Sequence, residues 1–206
     1  MNAPAASPIV TIPEVIGTPF GGGFYAGRYL EGDQLCLLIV APKSLGEHAD
    51  TPWSKKLVKV AGSLSYADGF SNTRAMAEAG SDIAQWALGL DINGESDWFI
   101  PARDQLELLY RAFKPTDREN WVFRNGDNPS SVPPGYPYTE AFPACTTIPG
   151  FCSGAADAFD PAWYWSSTQY ASNPDFAWCQ SFDGGNQNGY HKNGKLRVRA
   201  VRRLKI

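Results

Sequence analysis

The chain has 206 residues, 43% hydrophobic, 13% aromatic and 19% charged, with 20 glycines and 16 prolines. That length buries a real core without staples and argues for one domain carrying an arm or insertion, while so little charge and so many turn formers exclude a helical bundle. The formal charge of -3 conceals a body of -10 and a tail of +7, because residues 192–206 hold seven Lys/Arg and no acid.

The opening MNAPAASPIVTIPEV has no basic start and no continuous apolar segment, so it reads as neither signal peptide nor membrane anchor. Pro4, Pro8, Pro13 and Pro19 make residues 1–20 an extended arm, a candidate attachment segment. FYAGRYL and QLCLLIVA around Glu31-Gly32-Asp33 predict a short-loop hairpin that starts a domain over 21–206. The longest apolar run, residues 35–41, is far below membrane-spanning length, so no membrane insertion is expected and the chain reads as made in the cytoplasm.

Met76, Ala79, Ile83, Trp86, Ala87 and Leu90 fall on one side at helical spacing, which predicts an amphipathic helix over 71–90 capped by Ser71 or Asn72. DINGESD has its glycine at the fourth position, where a calcium-binding loop needs it at the sixth, and is an ordinary turn. DWFI predicts a short strand, and Leu106, Leu109, Tyr110 and Phe113 a second helix between Pro101 and Pro115. Residues 124–162 hold seven prolines and no sustained period, a long loop insertion whose Tyr136, Tyr138, Phe142, Phe151 and Phe159 supply enough apolar matter to pack it down. AWYWSST, DFAWCQSF and GKLRVRAV are strand-like. In the last, Leu196, Val198 and Ala200 face inward and Arg197 and Arg199 outward, until Ala200-Val201 shifts the phase. The basic residues thus read as a strand face set against the acidic body, not as a nucleic-acid patch.

Nucleophilic catalysis needs a partner base, and the only histidines, His48 and His191, lie in no recognisable motif. GxSxG, HExxH, the P-loop and a strand-linked GxGxxG are all absent. No enzyme is expected; a hydrolase built on a carboxylate pair is the remaining catalytic alternative. Cys36 and Cys179 sit in strand-like sequence as buried thiols, whereas Cys145 and Cys152 bracket TTIPGF, where a small disulfide can form under oxidising conditions. The cysteine spacing excludes a zinc site, and no metal or cofactor is expected.

Binding has more support. Between 163 and 191, eight aromatic residues are interleaved with amides, and rings beside amides suit sugars or proteins. Trp163, Trp165 and Phe182 are assigned to the core, and Tyr170, Trp178 and Tyr190 to partly exposed positions. The polar run 183–193 exceeds what a reversal needs and reads as a displayed loop. The candidate ligand-binding residues are Tyr170, Asn173, Trp178, Asn186, Gln187, Asn188, Tyr190 and His191.

SDWFIPARDQLELLY, WYWSSTQY and AWCQSFDGGNQNGYHKNGKLRVRAVRR resemble, in order and spacing, the Lcl C-terminal domain family, named for a collagen-like adhesin. Asp97-Trp98, Pro101, Glu107-Leu108, residues 165–168 and residues 198–202 match its pattern over roughly 21–206, while Ala102 replaces the usual Ser/Thr helix cap. The resemblance implies an α+β, C-type-lectin-like fold: two helices packed on a small, mainly antiparallel sheet with long irregular loops. The lectin calcium signatures EPN and WND are absent, so calcium-dependent sugar binding does not carry over. The chain looks most like phage-borne members, which implies a non-enzymatic receptor-binding protein of a phage tail or tail fibre. Its partners would then be a host-surface glycan or protein and, through the arm, other virion tail proteins. A homo-oligomer is expected, a trimer by analogy with phage fibres, localised to the virion and made in the host cytoplasm without a signal peptide. The alternative is a structural virion protein whose same surface contacts sister subunits.

Overall fold

The computed structural model describes residues 11–206; residues 1–10 of the expected arm lie outside the described residues. In chain order the elements are β1 (Pro19–Phe20), β2 (Gly23–Glu31), β3 (Gln34–Val40), α1 (Lys43–Gly46), β4 (Glu47–Pro52), α2 (Gly69–Glu78), α3 (Asp82–Leu88) and α4 (Arg103–Phe113). They continue with β5 (Ser131–Val132), β6 (Trp163–Gln169), β7 (Phe176–Ser181), β8 (Gln187–His191), β9 (Lys195–Arg199) and β10 (Val201–Lys205). One five-stranded sheet runs β1-β2-β3-β10 with β5 added to β2, and a second runs β4-β9-β6-β7-β8.

This corrects the expected C-type-lectin-like arrangement of two helices on one small sheet: there are four helices and two sheets among the described residues. The tail is the reason for the second sheet. Its alternation breaks at Ala200, and the residues before the break pair with β4 and β6 while those after it pair with β3. The predicted helix over 71–90 is likewise two helices. Gly80, at φ +87, lets Ser81 N–H reach Met76 O at 3.0 Å and Gly80 N–H reach Ala77 O at 2.9 Å, a paired stop that ends α2. Its cap is Asp68, which accepts from Ser71 N–H at 2.9 Å, and Asn72 is buried.

Strong local patterns hold. The hairpin pairs β2 with β3 through Glu31↔Gln34, with Gly32 turning the chain at φ +61. Helix α4 begins after Ala102, and what that residue lacks as a cap is supplied from elsewhere: Thr168 Oγ1, on β6, accepts the Arg103 N–H at 3.0 Å. Gln105 Oε1 accepts the Ala102 N–H at 2.7 Å. The predicted DWFI strand reduces to a bridge between Phe99 and Val201, and DINGESD is a turn with Asn93 and Gly94 both at positive φ.

The aromatic residues of the long loop order it. Phe151 stacks on Phe113 of α4 at 4.0 Å between ring centroids, and Phe159 on Phe182 at 4.3 Å, so the loop forms one wall of the core. Tyr138 is also buried, while Tyr136 and Phe142 are exposed. A second cluster joins Trp53, Met76, Ile83, Ala87, Trp165 and Val198. The tail's arginines meet the acidic body: Arg197 and Arg199 bind Glu47, Arg202 binds Glu95 and Asp97, and Arg203 binds Glu31 and Asp68. Arg199, expected on the outward face, is instead fully buried, because β9 lies inside its sheet with acidic Glu47 brought alongside it.

Candidate functional site

The predicted displayed loop over 183–193 is a tight reversal at 183–186, strand β8 over Gln187–His191 and a turn at 192–193. Ser181 N–H donates to Asn186 O and Gly185 N–H to Ser181 O, both at 2.9 Å, so the chain reverses tightly and β8 returns along β7 as the sheet edge. Gly185 sits at φ +80, and an added Cβ would meet the Tyr110 ring at 2.6 Å, so only glycine fits this reversal.

Pairing register then separates the predicted residues. Trp178 stands opposite Gly189, Cys179 opposite Asn188 and Ala177 opposite Tyr190, so Trp178 and Tyr190 point to opposite faces of the sheet. On the Trp178 face, residues 118–125 rise as a second wall. Trp121 N–H donates to Gly184 O at 2.7 Å, Asn125 Oδ1 accepts the Gln187 N–H at 2.7 Å, and Asn125 Nδ2 donates to Phe123 O at 2.7 Å. This holds Trp121 and Phe123 in place although they are 53% and 63% exposed.

Between the walls lies a cleft of about 370 Å³ lined by Arg103, Trp121, Phe123, Arg124, Asn125, Tyr170, Trp178, Asn186, Gln187 and Asn188. Beyond Trp121 and Asn186 a hollow of about 490 Å³ continues past Arg118, Glu119, Trp163 and Asp183. The cleft volume falls in the range of small-molecule sites. Trp178 lies 4.8 Å from the Tyr170 ring and 6.2 Å, edge-on, from Tyr66. The Arg103 guanidinium stacks 3.8 Å over Tyr66 and is fixed by Asp104, with both Nε and Nη2 at 2.9 Å.

A buried polar chain supports the floor. Gln180 Nε2 donates to Tyr138 Oη at 3.0 Å and Tyr138 O–H to Glu107 Oε1 at 2.9 Å, and Arg111 and Asn128 also donate to that carboxylate. Burial pushes the Glu107 carboxyl above its ordinary range against the pull of Arg111, and burial together with the Glu107 charge pushes the Tyr138 phenol well up.

The structure thus brings together Tyr170, Trp178, Asn186 and Gln187, while Asn188, opposite Cys179 on the Tyr190 face, borders both this cleft and the hollow beside Tyr190. Asn173 joins a side hollow of about 220 Å³ with Tyr170, Phe176 and Asn188. Tyr190 borders a separate hollow of about 310 Å³ with Trp163 and Leu196, and His191 packs on Phe176 at 4.1 Å. Trp163, assigned to the core, is 36% exposed, while Trp165 and Phe182 are buried as expected. Sequence reasoning missed Trp121, Phe123, Arg103 and Arg124; the available signal was WVF directly after the polar DREN, an apolar triplet with no period to bury it.

His48 bonds to Ala49 O beside Trp86, so neither histidine is seated against a nucleophile. Among the described residues no group of three His, Cys, Asp or Glu could hold a metal, and no helix is long and apolar enough to cross a membrane. All four cysteines are free. Burial pushes the Cys179 thiol up to about 12, and Cys145 and Cys152 both set their sulfurs against Thr146 O, at 3.8 and 3.5 Å.

The family model described as the Lcl C-terminal domain matches residues 47–202. No curated protein matches the chain. Among solved structures, a fimbrial protein from Bacteroides ovatus is similar at 12% identity and a TM-score of 0.38, covering 81% of this chain and 35% of that one. The family match overturns the expected phage tail or tail-fibre protein, and the structural virion alternative with it, since the family shown is the one named for a collagen-like adhesin. The virion partners and the trimer drawn from that expectation lose their support.

Proposed function

The chain belongs to the Lcl C-terminal domain family, and from that premise we propose that it is a non-enzymatic recognition module of the adhesin kind, working at a bacterial surface. Its ligand sits in the cleft between residues 118–125 and strands β7 and β8. The observation that carries this reading is the exposed pair Trp121 and Phe123, held out by backbone hydrogen bonds opposite Trp178 and Tyr170. Large rings left in water are tolerated where binding covers them. An N-terminal arm ahead of a single domain belongs to the same proposal, with residues 19–20 of the expected arm joining the domain as β1, paired with β2.

The test is adhesion of beads carrying the domain to cultured cells and to mucin-coated plates, comparing wild type with Trp121→Ala/Phe123→Ala. Both residues lie outside the core clusters, so the variant should keep its melting temperature and lose adhesion. Unchanged adhesion in the folded variant would remove the cleft as the site.

A further inference from the structure

We infer that Cys145 and Cys152 are an oxidisable pair whose disulfide locks the long loop onto the core. Neither sulfur lines the cleft, so the chemistry is independent of the adhesin reading, which supplies only the oxidising setting of a cell surface.

The loop between the two is already folded back. Phe151 N–H and Cys152 N–H both reach Ile148 O, at 2.8 and 3.0 Å, and Thr146 N–H is held by Lys114 O at 2.8 Å. This reversal sets both sulfurs against one acceptor, Thr146 O, at 3.8 Å from Cys145 and 3.5 Å from Cys152. Closing the bond exchanges weak S–H contacts for one covalent link.

Exposure and charge separate this pair from the other two cysteines. Cys145 and Cys152 are half-buried, whereas Cys36 and Cys179 are buried, on strands of different sheets. Burial raises both of those thiols, which keeps them protonated and inert. The Lys114 ammonium donates to Pro143 O at 3.3 Å and lies close enough to Cys145 for the two charges to interact. A thiolate formed at Cys145 therefore has a cation beside it, which makes it the attacking sulfur.

The oxidant is a small disulfide such as oxidised glutathione. The Cys145 thiolate attacks one of its sulfurs, its S–S bond breaks, and one small thiolate leaves and takes a proton. The Cys152 thiolate then attacks the Cys145 sulfur of the mixed disulfide, the second small thiolate leaves and takes a proton, and the protein bond forms. Two protein thiols are oxidised and one small disulfide is reduced.

The enclosed residues decide what the bond fixes. Phe151 stacks on Phe113 of α4 at 4.0 Å and meets Phe24 of β2 edge-on at 5.2 Å. Ile148 presses on Gly17, where an added Cβ would meet its Cγ2 at 2.6 Å. Closing the ring removes freedom from the unfolded loop that is otherwise lost when these side chains dock.

The test incubates the purified chain with excess oxidised glutathione, quenches it in acid and maps its peptides by mass spectrometry. Cys145 and Cys152 should be recovered joined, lighter by two hydrogens, and Cys152→Ser should stop at the mixed disulfide on Cys145. Wild type should melt about 5 °C above Cys145→Ser/Cys152→Ser in the oxidant and lose that gain in dithiothreitol. Mixed disulfides left on both sulfurs of the wild type, free thiols at both, or a bond between chains would overturn the pairing. A bond with no gain in melting temperature would overturn the lock. Each of these failures leaves the cleft untouched, because adhesion through Trp121 and Phe123 involves no cysteine.

Discussion

Arg199, with no exposed surface, donates its Nε–H to Glu47 Oε2 at 2.8 Å while its Nη1 reaches Ala41 O at 3.0 Å. The pair joins the closing strand of the second sheet to β4, across 152 residues of chain. Arg197 shares the same carboxylate at 3.0 Å. Removing Glu47 leaves Arg199 an uncompensated buried charge, so Glu47→Leu should lose about 3–5 kcal/mol, whereas Arg199→Met should lose less because Arg197 still pairs with Glu47. The double variant should lose less than the sum of the two, measured by urea unfolding as a thermodynamic cycle. Strict additivity would show that the ion pair does not couple these strands.

Tyr138 links the long loop to both α4 and β7, through Glu107 and Gln180. Tyr138→Phe keeps the ring in the core but strips both partners of one hydrogen bond. A loss of about 1–3 kcal/mol is expected. Ligand affinity should fall along with stability, since Gln180 also donates to Gly185 O at 3.3 Å, within the reversal that aims β8. Calorimetry of the same preparation reads both.

Lys192 is fully buried and its ammonium donates to Val58 O at 2.8 Å and Gln169 Oε1 at 2.7 Å. Burial, opposed only by Asp175, lowers its pKa from 10.5 to about 8. Between those values the unfolded chain binds the proton more firmly than the folded one, so this group's contribution is present above about 10.5 and is lost as pH falls through about 8. Stability should therefore rise from pH 8 toward pH 10 by up to about 1.4 kcal/mol per pH unit. Lys192→Met should flatten that slope in chemical unfolding at several pH values.

The two faces of the β8 edge make a binding prediction. Tyr170→Ala removes a ring 4.8 Å from Trp178 and should weaken the ligand about tenfold. Tyr190→Ala changes the opposite face and should alter affinity less than about twofold. Equal losses in titration calorimetry would place the site astride the edge strand.

How legible was this in the sequence? The β2–β3 hairpin, α4 and β7 were readable because each announces itself within ten residues, by alternation or by a 3.6 period. So was the pairing of the basic tail with the acidic body, since seven cations without an acid need partners somewhere. Arg199 was misplaced because alternation gives the face of a strand, not which face is covered, and its partner Glu47 lies far away in the chain. Trp163 was misplaced by the same ignorance, being a strand residue whose face borders a hollow. The wall at 121–123 was unreadable for another reason: adjacent apolar residues have no period, and only the bonds from Trp121 to Gly184 and from Asn125 to Gln187 reveal why they stand in water. The phase shift at Ala200-Val201 was visible, but not that it marks a crossing between sheets.

That crossing has a kinetic meaning. Ala200 donates its N–H to Gly46 O at 2.8 Å and accepts from Ala41 N–H at 3.0 Å, so a single residue between β9 and β10 is fastened on both sides while the chain passes from one sheet into the other. Neither sheet can lose its tail strand without straining the other at this point. The two should open as one cooperative unit, and amide protons of β3 and β6 should exchange with solvent at the same limiting free energy under native conditions.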